Sequence, residues 1–290
     1  MTLRALVFGA SGQAGTALQL TAPASSEVIA HELRDTDIRD ARAVARAIAD
    51  ARPHVIFNCA AYTAVDAAER DSDEAFQVNA VAAGIVAEAA EQASIRLVHI
   101  STDYVFDGSS RVPYAPQSPP APINAYGATK LEGERRVLAA SPRSVIVRTA
   151  WLHSSGGTNF VKTAIRILSA GQVMRVVDDQ IGTPTYARHL AQALWCIAAH
   201  PDVPRILHFT DAGVASWFDV AVAAMEAMRD ADRLPANAGV VPIATSEYPT
   251  PARRPLFSVL DKHESWKAIG YVPPHWRHGI VASIRELLNA

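Results

Sequence analysis

Leu3-Arg4-Ala5-Leu6-Val7-Phe8-Gly9-Ala10-Ser11-Gly12-Gln13-Ala14-Gly15 is a short apolar run that breaks on a glycine and carries two more at intervals of three. A run with little polar alternation reads as a parallel strand covered on both faces. Thr16 to Leu20 can continue as a helix. Between strand and helix, Gly9, Gly12 and Gly15 let the chain turn tightly, bring bare backbone to a pyrophosphate and pack the helix closely. The helix N-terminus then offers N–H groups and the positive end of its dipole to the anion. The spacing is GxxGxxG rather than GxGxxG, but strand and helix flank it as a dinucleotide turn requires.

Working outward, the same alternation repeats. Glu27 to His31 reads as a strand, Ala41 to Ala51 as a helix and Val55 to Ala61 as an apolar strand ending in small residues. An Ala-rich helix follows over about 75–93, then a strand from Arg96 to Ile100, and another from Ser144 to Arg148. Strands alternating with helices predict an α/β fold, a Rossmann-type doubly wound parallel sheet with right-handed crossovers. Residues 1–150 are expected to form this dinucleotide-binding part, joined by the helix in about 183–200. After Trp151 the elements shorten, and 151–182 with 201–290 are expected to form a smaller, mixed α/β substrate-binding part. Glu32, after the second strand, suits a ribose hydroxyl and so NADH. Arg34, two residues on, suits a 2′-phosphate and so NADPH.

Composition narrows the function classes. Of 290 residues, 49% are hydrophobic and 19% charged, which is globular rather than disordered. Lys+Arg is 27 against Asp+Glu 29, so there is no global basic field for nucleic acid or an anionic membrane. No window approaches the ~20 apolar residues of a membrane span. The chain enters its first strand without a charged leader or cleavage site. Cys59 and Cys196 stand far apart and in no CxxC pair, which fits a reducing cytoplasm and argues against a disulfide framework. The ten histidines form no HExxH motif, and most, His275 and His278 included, are expected at the surface or core edge.

The chemistry is expected at Tyr126-Gly127-Ala128-Thr129-Lys130. Of seven tyrosines, only Tyr126 has a lysine four residues on. On a helix that spacing puts both heads on one face. A nearby ammonium stabilises the phenolate, so Lys130 is expected to lower the Tyr126 pKa. A fall of roughly 3 units would need ~4 kcal/mol. Ser101-Thr102 ends a strand and aims hydroxyls into the same crevice, while a loop carrying five prolines over 113–122 delivers Tyr126 to the head of its helix. Late in the chain, Arg253-Arg254 sits on a proline-bounded loop where two cations could meet phosphates.

Taken together, these segments resemble the extended short-chain dehydrogenase/reductases, and within them the sugar-nucleotide reductase branch. The matching stretches are GASGQAG from Gly9, NCAAYTAVDAAE from Asn58, STDYVFDG from Ser101 and NAYGATKLEGE from Asn124. RTAWL from Arg148, NFVKT from Asn159, DDQIGTPT from Asp178 and YPTPARRPLFSVLD from Tyr248 continue the match, which runs from about Leu3 to Leu288. The resemblance implies NADPH- or NADH-dependent reduction of the 4-keto group of dTDP-6-deoxy-L-lyxo-4-hexulose to dTDP-L-rhamnose. Another dTDP-4-keto-deoxysugar, or a non-catalytic cofactor-binding regulatory subunit of the same fold, is the alternative. By position it implies Thr102, Tyr126 and Lys130 as the catalytic set. Gly12, Gln13 and Ala14, framed by Gly9 and Gly15, would hold the pyrophosphate, Asp37 and Ile38 the adenine, and Ala61, Tyr62 and Thr63 the nicotinamide side, with Tyr126 and Lys130 also touching the cofactor. Thr102, Asp103 and Trp151 would meet the substrate, with Arg254 near its diphosphate. Some members bridge a dimer through a divalent metal held by acidic residues. The matching positions here are Ala17 and Arg188, so no metal ligands are expected, and a homodimer is only allowed for.

Overall fold

A computed structural model describes residues 2–288. Residues 1, 289 and 290, at the outer ends of the two expected parts, lie outside the described residues. The chain opens with β1 (Leu3–Phe8), α1 (Gln13–Leu20), β2 (Ser26–His31), α2 (Ala41–Ala51) and β3 (Val55–Asn58). It continues through α3 (Ser72–Phe76), α4 (Ala82–Gln92), β4 (Arg96–Thr102), α5 (Ala125–Ala140) and β5 (Val145–Thr149). After β6 (Leu152–His153) come α6 (Phe160–Ser169), β7 (Val173–Val177), β8 (Ile181–Gly182), β9 (Thr185–Tyr186) and α7 (Ala187–Ala199). The last elements are β10 (Ile206–His208), β11 (Ala215–Ser216), α8 (Trp217–Asp230), β12 (Gly239–Ile243), α9 (His263–Ile269) and α10 (Trp276–Leu288).

Six strands form one sheet in the order β10-β5-β4-β3-β1-β2, and every pairing in it is parallel. The doubly wound expectation holds, and the apolar runs explain it. In β1, Ala5 and Val7 enter the core under α1 and α7, while Leu6 and Phe8 enter the core under α2, α4 and α5. Both faces of one strand are therefore dry, and each fully buried Leu or Phe there contributes about 1.5–3 kcal/mol. The winding reverses between β1 and β3, so a crevice opens outside their carboxyl ends. The sheet takes its sixth strand from β10, which pairs with β5 from Ile206↔Ile146 to His208↔Arg148. Three residues carry too little periodicity to announce a strand.

A third core lies between α6, α8, α10 and the parallel pair β7–β12, with Val161, Leu168, Met174, Met228, Trp276 and Ile280 at its centre. Helix α7 returns to the sheet, where the Trp195 indole N–H donates to the Leu18 carbonyl at 3.2 Å and meets Phe57 edge-on at 5.1 Å.

The helix expected over 75–93 starts earlier, at Ser72, and is interrupted by a π turn at Gln77–Val81. At that turn the Asn79 side chain accepts from the Tyr62 N–H at 2.9 Å and donates to the Tyr62 carbonyl and the Thr129 hydroxyl. Wide turns of this kind recur at functional sites. Gly133 of α5 packs directly on it, and a Cβ built there would lie 2.1 Å from the Asn79 carbonyl oxygen. We expect Gly133→Ala to lower stability by about 1–3 kcal/mol, because the clash outweighs the ~1 kcal/mol that alanine gains in a helix. Thermal denaturation should show a Tm several degrees lower, and an unchanged Tm would mean that α5 need not touch the π turn.

Candidate active site

The carboxyl ends of β1, β3, β4 and β5 open into a crevice of about 560 Å³, closed from the far side by residues 151–161 and the start of α8. One wall is the glycine turn. Gly9 has φ +75°, and a Cβ there would strike the Ala60 nitrogen at 2.6 Å. A Cβ on Gly15 would lie 2.4 Å from the Gly9 carbonyl, so α1 could not pack so closely. Gly12 differs: its nearest obstacle is the Gly9 carbonyl at 3.3 Å, and it lines the crevice with Gln13 and Ala14. The outer glycines are required for the fold, and the middle one leaves the backbone bare toward the crevice.

Tyr126 and Lys130 lie on the first turns of α5. Asn124 caps that helix, accepting from the Gly127 N–H at 2.7 Å and donating to the Arg253 carbonyl at 2.8 Å. Gly127 lets the helix start touch the turn after Thr102, since a Cβ there would be 2.1 Å from the Tyr104 carbonyl. Tyr126, Lys130, Thr102 and Asp103 thus line one crevice. The Thr102 hydroxyl accepts from the Tyr104 N–H at 3.2 Å and donates to Asp103 Oδ1 at 3.1 Å. It therefore stabilises a local turn as well as facing Tyr126.

One expectation needs correction. In this structure the Tyr126 pKa is raised rather than lowered, and Lys130 is not among the groups that shift it. The Lys130 Nζ donates to the Ile100 carbonyl at 2.6 Å, with His99 Nε2 at 3.5 Å. Burial pushes the Tyr126 phenol up to about 12; a Thr102 hydrogen bond pulls against this and Asp103 adds to it. Burial likewise brings the Lys130 ammonium down to about 8, against the pull of Glu134 and Cys59. Desolvation penalises the charged form of each group, so the phenol holds its proton and the ammonium is loosened.

Of the other expected site residues, Ala61 and Thr63 line the crevice, and Tyr62 is anchored through its backbone to Asn79 and through its hydroxyl to Asp71 at 3.1 Å. Asp37 is paired with Arg39 at 2.8 Å, which holds its carboxyl below the usual range, and the Ile38 side chain is in the core beside α2. Glu32 and Arg34 pair with each other at 3.3 Å. Arg254 does not line the crevice; Asp66 grips it at 2.8 and 3.0 Å, with Thr250 at 2.6 Å. Arg188 pairs with Glu286 at 2.7 Å, and Ala17 is buried in the core. Among the described residues no three His, Cys, Asp or Glu side chains gather in metal-binding geometry.

Trp151 is in the crevice, in a left-handed conformation at φ +46°. It stacks on Trp217 at 3.7 Å and 9°, and Gly182 leaves room for its indole, 2.6 Å from where a Cβ would stand. Trp217, Phe160 and Asn159 were not legible as site residues, although Ser216-x-x-Asp219 is a capping box that places Trp217 at a helix start. Asn159 caps α6 and donates to Gln13 Oε1 at 2.9 Å, the same oxygen that the Ser154 hydroxyl reaches at 2.9 Å. Such bonds link residues about 140 positions apart, which local pattern cannot reveal. His275 and His278 are exposed, whereas His99, His153 and His208 are buried.

Residues 3–289 match the family described as RmlD substrate binding domain. A dTDP-4-dehydrorhamnose reductase of Burkholderia thailandensis is 39% identical, over 99% of this chain and 100% of that protein. A probable dTDP-4,6-dihydroxy-2-methyloxan-3-one 4-ketoreductase of Streptomyces antibioticus is 40% identical, over 99% of this chain and 97% of that one. The crystal structure of a dTDP-4-dehydrorhamnose reductase from Bacillus anthracis in complex with NADP superposes with a TM-score of 0.92 at 35% identity, covering 99% and 100% of the two chains.

Asp103 offers a test of this electrostatic description. Burial raises its carboxyl to about 6, against the hydrogen bond from Thr102, and among the described residues its Oδ2 has no hydrogen-bond partner. Between about pH 4 and 6 the folded protein holds a proton that the unfolded chain has released, so stability falls as pH rises through that window. We expect Asp103→Asn to gain roughly 1–3 kcal/mol in chemical denaturation at pH 7.5, the gain shrinking toward zero near pH 4. An equal gain at both pH values would remove the buried charge as its cause.

Proposed function

The chain belongs to the RmlD substrate binding domain family, and from that premise we propose that it reduces the 4-keto group of dTDP-6-deoxy-L-lyxo-4-hexulose with NADPH, giving dTDP-L-rhamnose. The observation that carries this reading is the convergence of Thr102, Tyr126 and Lys130 on a crevice whose opposite wall is the bare turn at Gly12. That turn fits a dinucleotide, because the face of Gly12 toward the crevice is free of side chain and α1 begins at the next residue. Gly12, Gln13 and Ala14 would hold the pyrophosphate, with Ala61 and Thr63 on the nicotinamide side. NADPH, when bound, supplies the hydride that reduces the ketone carbon.

The protein's own task is to manage the charge that develops on the ketone oxygen. A reductase needs its proton donor loaded, and the raised Tyr126 pKa keeps the phenol protonated at neutral pH. As negative charge grows, Tyr126 gives its proton to that oxygen and Thr102 turns its hydroxyl from Asp103 to the same atom. Such a bond is stronger in the transition state than in the ground state, so it raises kcat. Lys130, released from the Ile100 carbonyl, would offset the phenolate left behind and hold the nicotinamide ribose. Trp151, backed by Trp217, supplies an apolar wall suited to a deoxysugar methyl group. The two unpaired cysteines, at 59 and 196, suit the cytoplasm.

The Streptomyces antibioticus relative, named as a 4-ketoreductase of a different dTDP-linked sugar and equally similar, supports the same chemistry on another dTDP-4-keto-deoxysugar as the second reading. A coupled assay from dTDP-glucose with an upstream dehydratase and epimerase, run with NADPH and NADH and read by NMR of the product sugar, separates the two. We expect dTDP-L-rhamnose from the wild type and at least about a 100-fold lower kcat from Tyr126→Phe with NADPH binding retained. Turnover by Tyr126→Phe within about twofold of wild type would overturn the reading.

A further inference from the structure

Directly beneath Lys130 and Thr102 lies a fully buried ion pair. Glu134 and Arg148 meet at 2.7 Å, their side chains 2% and 3% exposed, and Arg148 Nε adds a bond to Glu134 Oε1 at 2.9 Å. That same Oε1 accepts from the Ser101 hydroxyl at 2.5 Å. Ser101 and Arg148 are direct partners across β4 and β5, and the next pair along is Thr102 and Thr149. One carboxylate on α5 thus ties the helix to both strands, one residue short of Thr102. Tyr126, Lys130 and Glu134 recur at every fourth position, so all three share a helix face.

Stability alone does not call for charges here, since apolar residues of similar volume often serve a core as well as a buried ion pair. This pair is nevertheless fully furnished. Arg148 also donates to the Pro116 carbonyl at 3.2 Å, and its guanidinium lies 5.1 Å from the centre of the Phe106 ring. The groups around the Lys130 ammonium show what the charge does. From β4 it meets the Ile100 carbonyl and His99, which burial and Lys130 itself keep neutral. From the end of β3 it meets Cys59, whose thiol burial pushes up to about 12. Tyr126 holds its proton, Asp103 acts on the phenol, and Arg148 carries the same sign as Lys130. Of the ionisable groups around it, Glu134 is the one that most favours the charged lysine.

We propose that Glu134 is a positioning residue of the reaction: it clamps the helix bearing Tyr126 and Lys130 onto the strand end bearing Thr102, and its carboxylate is the counter-charge that lets Lys130 stay an ammonium in a water-poor site. The proposal rests on the reductase reading above. Glu134 does not touch substrate. It acts through Ser101 on Thr102 and through space on Lys130.

The test uses the unliganded protein as well as the enzyme at work. The chain has four lysines, at 130, 162, 262 and 267, so NMR of isotopically labelled lysine side chains can follow Lys130 alone, assigned by its loss in Lys130→Met. In Glu134→Gln we expect the Lys130 titration to move down by about one unit or more from its wild-type position, with the basic limb of kcat/KM moving down by about the same amount. At pH 7.5, kcat should fall about tenfold or more while KM for the keto-sugar stays within about twofold. Glu134→Gln with Arg148→Met removes the stranded cation and should recover thermal stability, yet leave the Lys130 titration below wild type. That double variant carries the test if the single one does not fold. A wild-type Lys130 titration in these variants, or wild-type kcat and pH profile in the double variant, would overturn the proposal. Tyr126→Phe runs alongside: if it is inactive while the Glu134 variants behave as wild type, only this inference fails, and if it is active the reductase reading fails first.

Discussion

Lys130 is a positive charge kept almost wholly out of water, and much of the site's construction answers to that. An ammonium in such a place loses hydration that several partial charges must replace. The Ile100 carbonyl supplies one, and Glu134 supplies a full opposite charge one helical turn away. Glu134 in turn needs Arg148 and Ser101, and Arg148 needs the Pro116 carbonyl and the Phe106 ring. A requirement at one residue has propagated through two strands, a helix and a loop. Dry surroundings also keep the proton on Tyr126.

The second constraint is close approach. Gly9 and Gly15 bring α1 over the end of β1, and two more, Gly127 and Gly133, bring α5 against backbone carbonyls of the Thr102 turn and the π turn. Each removes a side chain so that two backbone segments can share the space. The crevice is thus shaped by missing Cβ atoms on one side and filled by large rings, Trp151 and Trp217, on the other. Across it, Gln13 joins the glycine turn to Ser154 and Asn159, tying the start of α1 to residues about 140 positions away.

Most of the fold was readable along the chain because its signals are local. β1 and α2 begin and end where the apolar run and the helical stretch do, and the parallel sheet follows from alternation alone. The π turn was not readable, because its cause is the Asn79 side chain reaching Tyr62 and Thr129 on other segments. β10 was hidden by its brevity, and the side chain of Ile38, itself expected with Asp37 to meet the adenine, is buried in the core under α2.

Sequence alone determined the nucleotide-type fold, the glycine turn and the one Tyr–Lys pair at helical spacing, since each is written in residues a few positions apart. Only the tertiary structure decided the direction of the Tyr126 pKa, the partner of Lys130 and the pairing of Arg254 with Asp66. Those outcomes depend on how much water is excluded and on which distant carboxylate or carbonyl comes within about 3 Å. Spacing along a helix can say that two groups face the same way. It cannot say what lies opposite them.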